Sequence, residues 1–424
     1  MKINPVNRLK GEIKVPGDKS VSHRAVMLGS VAKGHTLIKD FLMGEDCLST
    51  IRCFQQMGVS IGINQKTVSV KGNGLHGLKK PEQILDVGNS GTTMRLMSGL
   101  LCGQDFDCSI TGDSSIIKRP MGRIIQPLTK MNGNIKSIHE NNLAPLYIQP
   151  SQLINIDYVS PVSSAQVKSS IMLASLYTTG VTTIVEPFTS RNHSELLLNH
   201  FGGNIQVNGT KVICNPVEEL FAQEVIVPSD ISSAAYFMVA GLISKNSEII
   251  IKDVGINPTR DGIIHVLQNM EGQIELDNIR YISGEKVADI IVRSSRLKGT
   301  IVEGSIIPSL IDEIPIIAIA AALAEGKTII KDAAELKVKE TNRIDTMVNE
   351  LKKMGVDILG TDDGMIIEGG NPLQGAVVDS YHDHRVAMSL TIAALNAMST
   401  TTLMNSRCID ISYPTFFEDI KSLF

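Results

Sequence analysis

Hydroxyls, cations and carboxylates gather in a few short phrases of this chain, and most of these phrases lead directly into an apolar run. Lys19-Ser20-Val21-Ser22-His23-Arg24, Asn89-Ser90-Gly91-Thr92-Thr93-Met94-Arg95, Ser163-Ser164-Ala165-Gln166-Val167-Lys168 and Asp383-His384-Arg385 are the clearest cases. A helix N-terminus exposes unpaired N–H groups and a partial positive charge, so it attracts anions. Ser, Thr or Asp at any one of these places would serve as an ordinary N-cap. Lysine or arginine in the first turn opposes the dipole, and a bound anion is the natural reason to put it there. Lys118 and Arg119 follow a Thr111-Gly112-Asp113 turn, and Lys339, Glu340 and Arg343 share a second charged phrase. Taken alone, that second phrase reads as an exposed helix start with a Lys339–Arg343 face, and Arg191 in SRNHSE reads the same way. His384 is the histidine best placed for proton transfer, because Asp383 and Arg385 flank it and can tune it. Anion binding combined with acid–base work is the chemistry these residue types allow.

Other chemistries find no support. There is no GxxxxGK[ST] and no GxGxxG following a strand, and no His or carboxylate–His set has the spacing of a catalytic metal site. The six cysteines form no CxxC, which predicts reduced thiols in a cytoplasmic protein. A net charge of −4 predicts no general attraction to nucleic acid or membrane. The longest apolar run, IPIIAIAAALA from Ile314, is eleven residues and contains a proline, too short to span a bilayer. The N-terminal MKINPVN lacks the apolar stretch of a signal peptide.

The elements that must position these phrases repeat. Six copies of a polar or glycine start, an apolar helix, a short break and a β-branched strand begin near Ser22, Gly91, Ser164, Ser233, Asp312 and Asp383. Their spacing of roughly 70 residues exceeds the 20–50 residue period of solenoids. Between them recurs an amphipathic helix ending in a glycine turn and a strand, as in IRCFQQMGVSI, IIQPLTKMNGNI, ELLLNHFGGNI, GIIHVLQNMEGQI and MVNELKKMGVDI. Glycine is expected there as the left-handed residue that closes the helix. A sixth copy, TFFEDIKSLF, stops without its strand, so the two termini are expected to complete one unit. The repeats divide the chain into residues 16–228 and residues 1–15 plus 229–424, with a ligand-binding cleft expected between the two lobes.

These phrases together resemble the 5-enolpyruvylshikimate-3-phosphate synthases, a family of enolpyruvyl transferases, over the full length. The likeness rests on VPGDKSVSHRAVMLGSVAKG, DVGNSGTTMRLMSGLL, TGDSSIIKRPMGRII, SAQVKSSIMLA, LKVKETNRI and YHDHRVAM. It implies a two-lobed, inside-out α/β barrel of six βαβαββ-type units with helix N-termini facing an interdomain cleft. It also implies one reaction, shikimate 3-phosphate plus phosphoenolpyruvate giving an enolpyruvyl ether and phosphate, with no metal or cofactor. Carried over by motif, Lys19, Ser20, Arg24, Ser164, Gln166, Ser190, Asp312 and Lys339 would bind shikimate 3-phosphate. Lys19, Gly91, Arg119, Gln166, Arg343, Asp383 and Arg385 would bind phosphoenolpyruvate. Asp312 would act as base on the 5-hydroxyl, while Lys19, Glu340 and His384 would handle the proton at C3. The resemblance further implies a monomer that glyphosate inhibits by competing with phosphoenolpyruvate.

Three positions depart from the pattern of some members: Ala165 replaces a serine, Glu335 an asparagine, and Ile411 a lysine of the phosphoenolpyruvate clamp. The sister transferase that uses UDP-N-acetylglucosamine carries a cysteine in the loop matching 111–120, where this chain has TGDSSIIKRP, and an asparagine where Ser20 stands. An RNA 3′-phosphate cyclase would need a more basic surface. A binding-only protein of the same fold would have no use for Lys19, Asp312, Glu340 and Arg343 together.

Overall fold

The computed structural model describes residues Met1–Phe424 and shows each of the six repeats as a helix followed by a strand. The helices are Lys19–Val31, Gly91–Leu101, Ala165–Ser175, Ile231–Ile243, Ile314–Leu323 and His384–Leu395. Nearly every residue of Ile231–Ile243 and Ile314–Leu323 is buried. A helix that is apolar on all sides belongs inside a core, which these do. The chain divides into two compact units: Met1–Pro16 with Ser229–Tyr281 and Lys286–Phe424, and Gly17–Pro228 with Ile282–Glu285. Each contains three of the six helices and its own hydrophobic core.

Four inner helices, Gly91–Leu101, Ala165–Ser175, Ile314–Leu323 and His384–Leu395, each connect two parallel strands of one sheet, and for the first three an antiparallel hairpin completes that sheet. Lys19–Val31 and Ile231–Ile243 instead carry the chain from one sheet to another. In one example Ile301–Val302 pairs in parallel with Lys327–Ile330 across the Ile314–Leu323 helix, and Met365–Glu368 and Asp357–Gly360 extend the sheet antiparallel. Five sheets have four strands in this arrangement, and the sixth has three. In the Gly17–Pro228 unit the edge strand Glu224–Ile226, from the unit's end, pairs with Leu37–Lys39 and closes its first sheet. The N-terminus supplies the missing piece of the sixth sheet: Lys2–Ile3 pairs antiparallel with Thr401–Thr402, and the short Phe416–Lys421 helix stands where the second helix of the repeat belongs.

The second helices of the repeat end as expected in only some copies. Gly58, Gly202 and Gly355 occupy the left-handed region after their helices. After Gly122–Lys130 and Gly262–Asn269, however, Asn132 and Glu271 take that conformation, with φ of 64° and 66°. The glycine that follows has a different task. A Cβ on Gly133 would come within 2.7 Å of the Leu128 carbonyl oxygen, and one on Gly272 equally close to that of Leu267. In these copies glycine is required for close approach of the backbone rather than for its φ.

Candidate active site

In the Gly17–Pro228 unit, buried side-chain bonds tie the three inner helix starts together. Asp18 caps the first helix and Ser90 the second, each accepting an N–H three residues on. His23 Nδ1 meets Thr50 Oγ1 at 2.7 Å, and Thr50 meets Thr93 Oγ1 at 2.7 Å, which locks the first helix to the second. Gln166, on the first turn of the third helix, accepts a hydrogen bond from Arg95 Nη1 and donates to Thr92 Oγ1 at 3.3 Å. Arg24 reaches from the first helix to the third, donating to Ser169 Oγ, and also to Ser194 Oγ and the Ser20 carbonyl. Burial pulls the Arg24 guanidinium down to about 10, so it remains charged at neutral pH.

Lys19 pairs with Asp46, a carboxylate on the first turn of the Glu45–Gln56 helix. Arg119 donates to Asn89 Oδ1 at 2.6 Å and to Ser115 Oγ at 3.2 Å, which brings the 111–120 loop over the Gly91 helix start. An ideal Cβ on Gly91 would lie 3.3 Å from Arg119 Nη1 and 3.4 Å from Arg95 Nη1. Ser164 caps the third helix, and the Ser190 hydroxyl is bound to Glu186. Lys168 departs from the expectation that first-turn cations await an anionic ligand. Its side chain is 2% exposed and lies between Glu186 at 2.9 Å and Glu195 at 2.8 Å. Its charge answers buried carboxylates of the protein itself.

The other unit gathers its charges around Asp312. Lys339 Nζ and Arg343 Nη1 each stand 3.5 Å from Asp312 Oδ1, and Arg385 Nη2 lies 3.8 Å from Oδ2. Asp312 is not the N-cap of the Ile314–Leu323 helix; Glu313 occupies that place and makes no side-chain cap bond. The phrase read above as an exposed helix face folds differently. Lys339 precedes the helix, Asn342 caps it, and Arg343 is its first residue, only 1% exposed. Asp383 draws it inward, accepting Arg343 Nε at 2.8 Å while also capping its own helix through the N–H groups of Arg385 and Val386. Glu340 takes Arg343 Nη2, and Nη1 has no hydrogen-bond partner in the protein. Burial works against the Arg343 charge, but Asp383 and Glu340 outweigh it and hold the guanidinium above its ordinary range. Arg385 is likewise raised, since Asp312, Tyr236 and Glu313 outweigh its burial.

His384 is buried at the first position of its helix. Ile411 packs against the apolar core of this unit. Several participants carried no signal in the local sequence. Asp46 resembles any acid in a first turn, Glu186 any residue after a strand, and Glu313 and Arg260 no motif at all. Yet Arg260 bonds Ser232 and lies 3.6 Å from Asp230 and 3.7 Å from Glu313, linking the starts of two inner helices. The only sequence cue was a charge adjoining an apolar run. No group of three His, Cys, Asp or Glu side chains is arranged to hold a metal ion.

The fold is that of the enolpyruvyl transferases. The enolpyruvyl transferase NikO from Streptomyces tendae superposes with a TM-score of 0.81 over 100% of this chain and 96% of that one, at 16% identity, a likeness of fold alone. The family model for EPSP synthase (3-phosphoshikimate 1-carboxyvinyltransferase) matches residues 3–420. The 3-phosphoshikimate 1-carboxyvinyltransferase of Thermoanaerobacter sp. (strain X514) is 58% identical over 98% of both chains. That of Geobacillus kaustophilus (strain HTA426) is 53% identical over 99% of this chain and 98% of its own. EPSP synthase from Acinetobacter baumannii superposes with a TM-score of 0.90 at 44% identity, covering 100% of this chain and 97% of that one. The chain belongs to the EPSP synthase family, and its activity is transfer of the enolpyruvyl group from phosphoenolpyruvate to shikimate 3-phosphate in the shikimate pathway.

Proposed function

We propose that Asp312 is the base of this transfer, and that the charged groups of both units hold the two substrates as follows. Asp312 takes the proton of the 5-hydroxyl as that oxygen attacks C2 of phosphoenolpyruvate. Lys19, Glu340 and His384 are the groups offered for the proton that C3 gains, which gives a tetrahedral phospho-ketal. Return of a C3 proton to the protein and departure of phosphate then leave the enolpyruvyl ether. Arg119, Arg343 and Arg385 take the phosphate and carboxylate of phosphoenolpyruvate, a task suited to planar, bidentate donors. Gly91 lets that substrate approach the backbone, and Lys19 and Gln166 contact both substrates. Ser20, Arg24, Ser164, Ser190 and Lys339 hold shikimate 3-phosphate. Asp383, fully buried, serves by orienting Arg343.

The observation that carries this reading is the environment of Asp312. A carboxylate with three cations at 3.5–3.8 Å sits beside a guanidinium nitrogen that lacks a hydrogen-bond partner. Opposite charges favour the ionised form of a carboxylate, which is the form a base must have, and the same cations can bind anions. Glyphosate is expected to compete with phosphoenolpyruvate, and the protein is expected to act as a cytoplasmic monomer. No single helix is long and apolar enough to cross a membrane. The test is phosphate release from phosphoenolpyruvate in chelated buffer, with native protein and with Asp312→Ala. Native release that requires shikimate 3-phosphate, together with its loss in the variant, supports the assignment. Undiminished release by the variant refutes it.

A further inference from the structure

We infer that Glu186 is the positioning residue of the shikimate 3-phosphate site, setting Ser164 and Ser190 in register with each other. The inference rests on the reading of those serines as ligands of the substrate phosphate. Glu186 follows the Thr182–Val185 strand and is 3% exposed. Its Oε1 accepts the Ser164 N–H at 3.0 Å, and its Oε2 accepts the Ser190 N–H at 3.4 Å. The Ser190 hydroxyl lies 2.7 and 2.8 Å from the two carboxylate oxygens. One carboxylate therefore joins the helix start at Ser164 to a loop more than twenty residues further on.

Lys168 completes the arrangement. Its ammonium has three N–H groups, and it meets Glu186, Glu195 and the Ser190 carbonyl, the last at 3.2 Å. Ser190 is thus held through its carbonyl by Lys168, and through its N–H and hydroxyl by Glu186. A carboxylate this deeply buried is tolerated when paired and fully hydrogen-bonded, and both conditions are met. A serine hydroxyl has one proton, which Glu186 accepts until a phosphate oxygen takes it over, while the Ser190 N–H on Glu186 and its carbonyl on Lys168 keep the residue in place throughout. Glutamine at this place would keep one acceptor but turn an amide N–H toward Lys168 or a serine donor.

Steady-state kinetics of full-length Glu186→Gln, Ser164→Ala, Ser190→Ala and the Glu186→Gln/Ser190→Ala double variant test this. Glu186→Gln should raise KM for shikimate 3-phosphate by about 10-fold or more, with kcat and KM for phosphoenolpyruvate within about threefold of native. The double variant should be no worse than Glu186→Gln alone, because both changes remove one interaction. If the serine variants raise that KM and Glu186→Gln does not, Glu186 has no positioning role. If neither serine variant changes it, the phosphate-site reading itself fails. Parallel loss of kcat and of both KM values would mark general disruption and equally overturn the inference. Should Glu186→Gln not fold, Glu186→Asp keeps the charge beside Lys168 while withdrawing from both serines. The same selective rise in KM is expected of it, and an unchanged KM refutes the inference.

Discussion

A β-carbon on Gly91 would stand 3.3 Å from Nη1 of Arg119, tighter than an ordinary contact but against the movable end of a side chain. Gly91→Ala should therefore fold normally, with the Arg119 guanidinium withdrawn by a few tenths of an ångström. Arg119 is anchored by Asn89 and Ser115, so the withdrawal strains both bonds. Loss of one charge-assisted hydrogen bond is about 1.5–3 kcal/mol, or roughly 10-fold in affinity or more. The variant is expected to bind phosphoenolpyruvate and glyphosate more weakly, as inhibition constants and KM would show. Unchanged constants for both would mean that the anion does not lie at this helix start.

Asp312→Ala removes the proposed base, and Lys19→Met one of the groups assigned to the C3 proton. Each should lower kcat at saturating substrate by roughly 10²-fold or more, the usual size of an acid–base contribution. Asp312→Ala also leaves Lys339, Arg343 and Arg385 without a shared counter-charge, so binding of anions should be retained or tightened. Titration calorimetry with phosphoenolpyruvate, the anion assigned to Arg343 and Arg385, would check this independently of turnover. Near-native kcat in either variant removes that residue from proton transfer.

The six thiols should be inert in the native protein. All six are buried, and burial pushes Cys53, Cys102, Cys108 and Cys214 up to about 12. The thiolate is the reactive form, and at pH 8 its fraction at those four is of order 10⁻⁴. A chromogenic disulfide reagent is expected to titrate less than one thiol per chain before denaturation and all six afterwards, with no loss of activity. Rapid inactivation by the reagent would show a thiol near the reacting groups.

The repeats were legible because they are apolar. Helices such as Ile231–Ile243 and their β-branched strands announce themselves over a dozen consecutive residues, and each was found where the pattern placed it. The surroundings of the charges were not legible. Arg343 sits in a phrase that looks solvated, and it is buried because Asp383, forty residues on, meets it through space. Lys168 reads in the sequence as a cation awaiting a ligand, but Glu186 and Glu195 stand beside it in space. Asn132 shows the same limit in the backbone. Its neighbour Gly133 was the obvious left-handed residue, but the Leu128 carbonyl demanded the glycine one place later.

Acid should destabilise this protein through His23 before most carboxylates titrate. The ring is fully buried, with Nδ1 held by Thr50 at 2.7 Å. Burial, helped by Lys19 and Arg24 and opposed by Asp46, lowers its pKa from 6.5 to about 3. Between those values the unfolded chain binds a proton that the native state does not. Stability contributed by the neutral ring is therefore complete above pH 6.5 and declines as pH falls toward about 3. The steepest slope is about 1.4 kcal/mol per pH unit. His23→Gln can still bond Thr50 but has no proton to gain. From pH 7 to pH 5 the native protein should lose about 2 kcal/mol more unfolding free energy than this variant. Urea midpoints at the two pH values measure the difference, and equal losses would show that His23 is protonated in the folded state or contributes nothing to the acid limb.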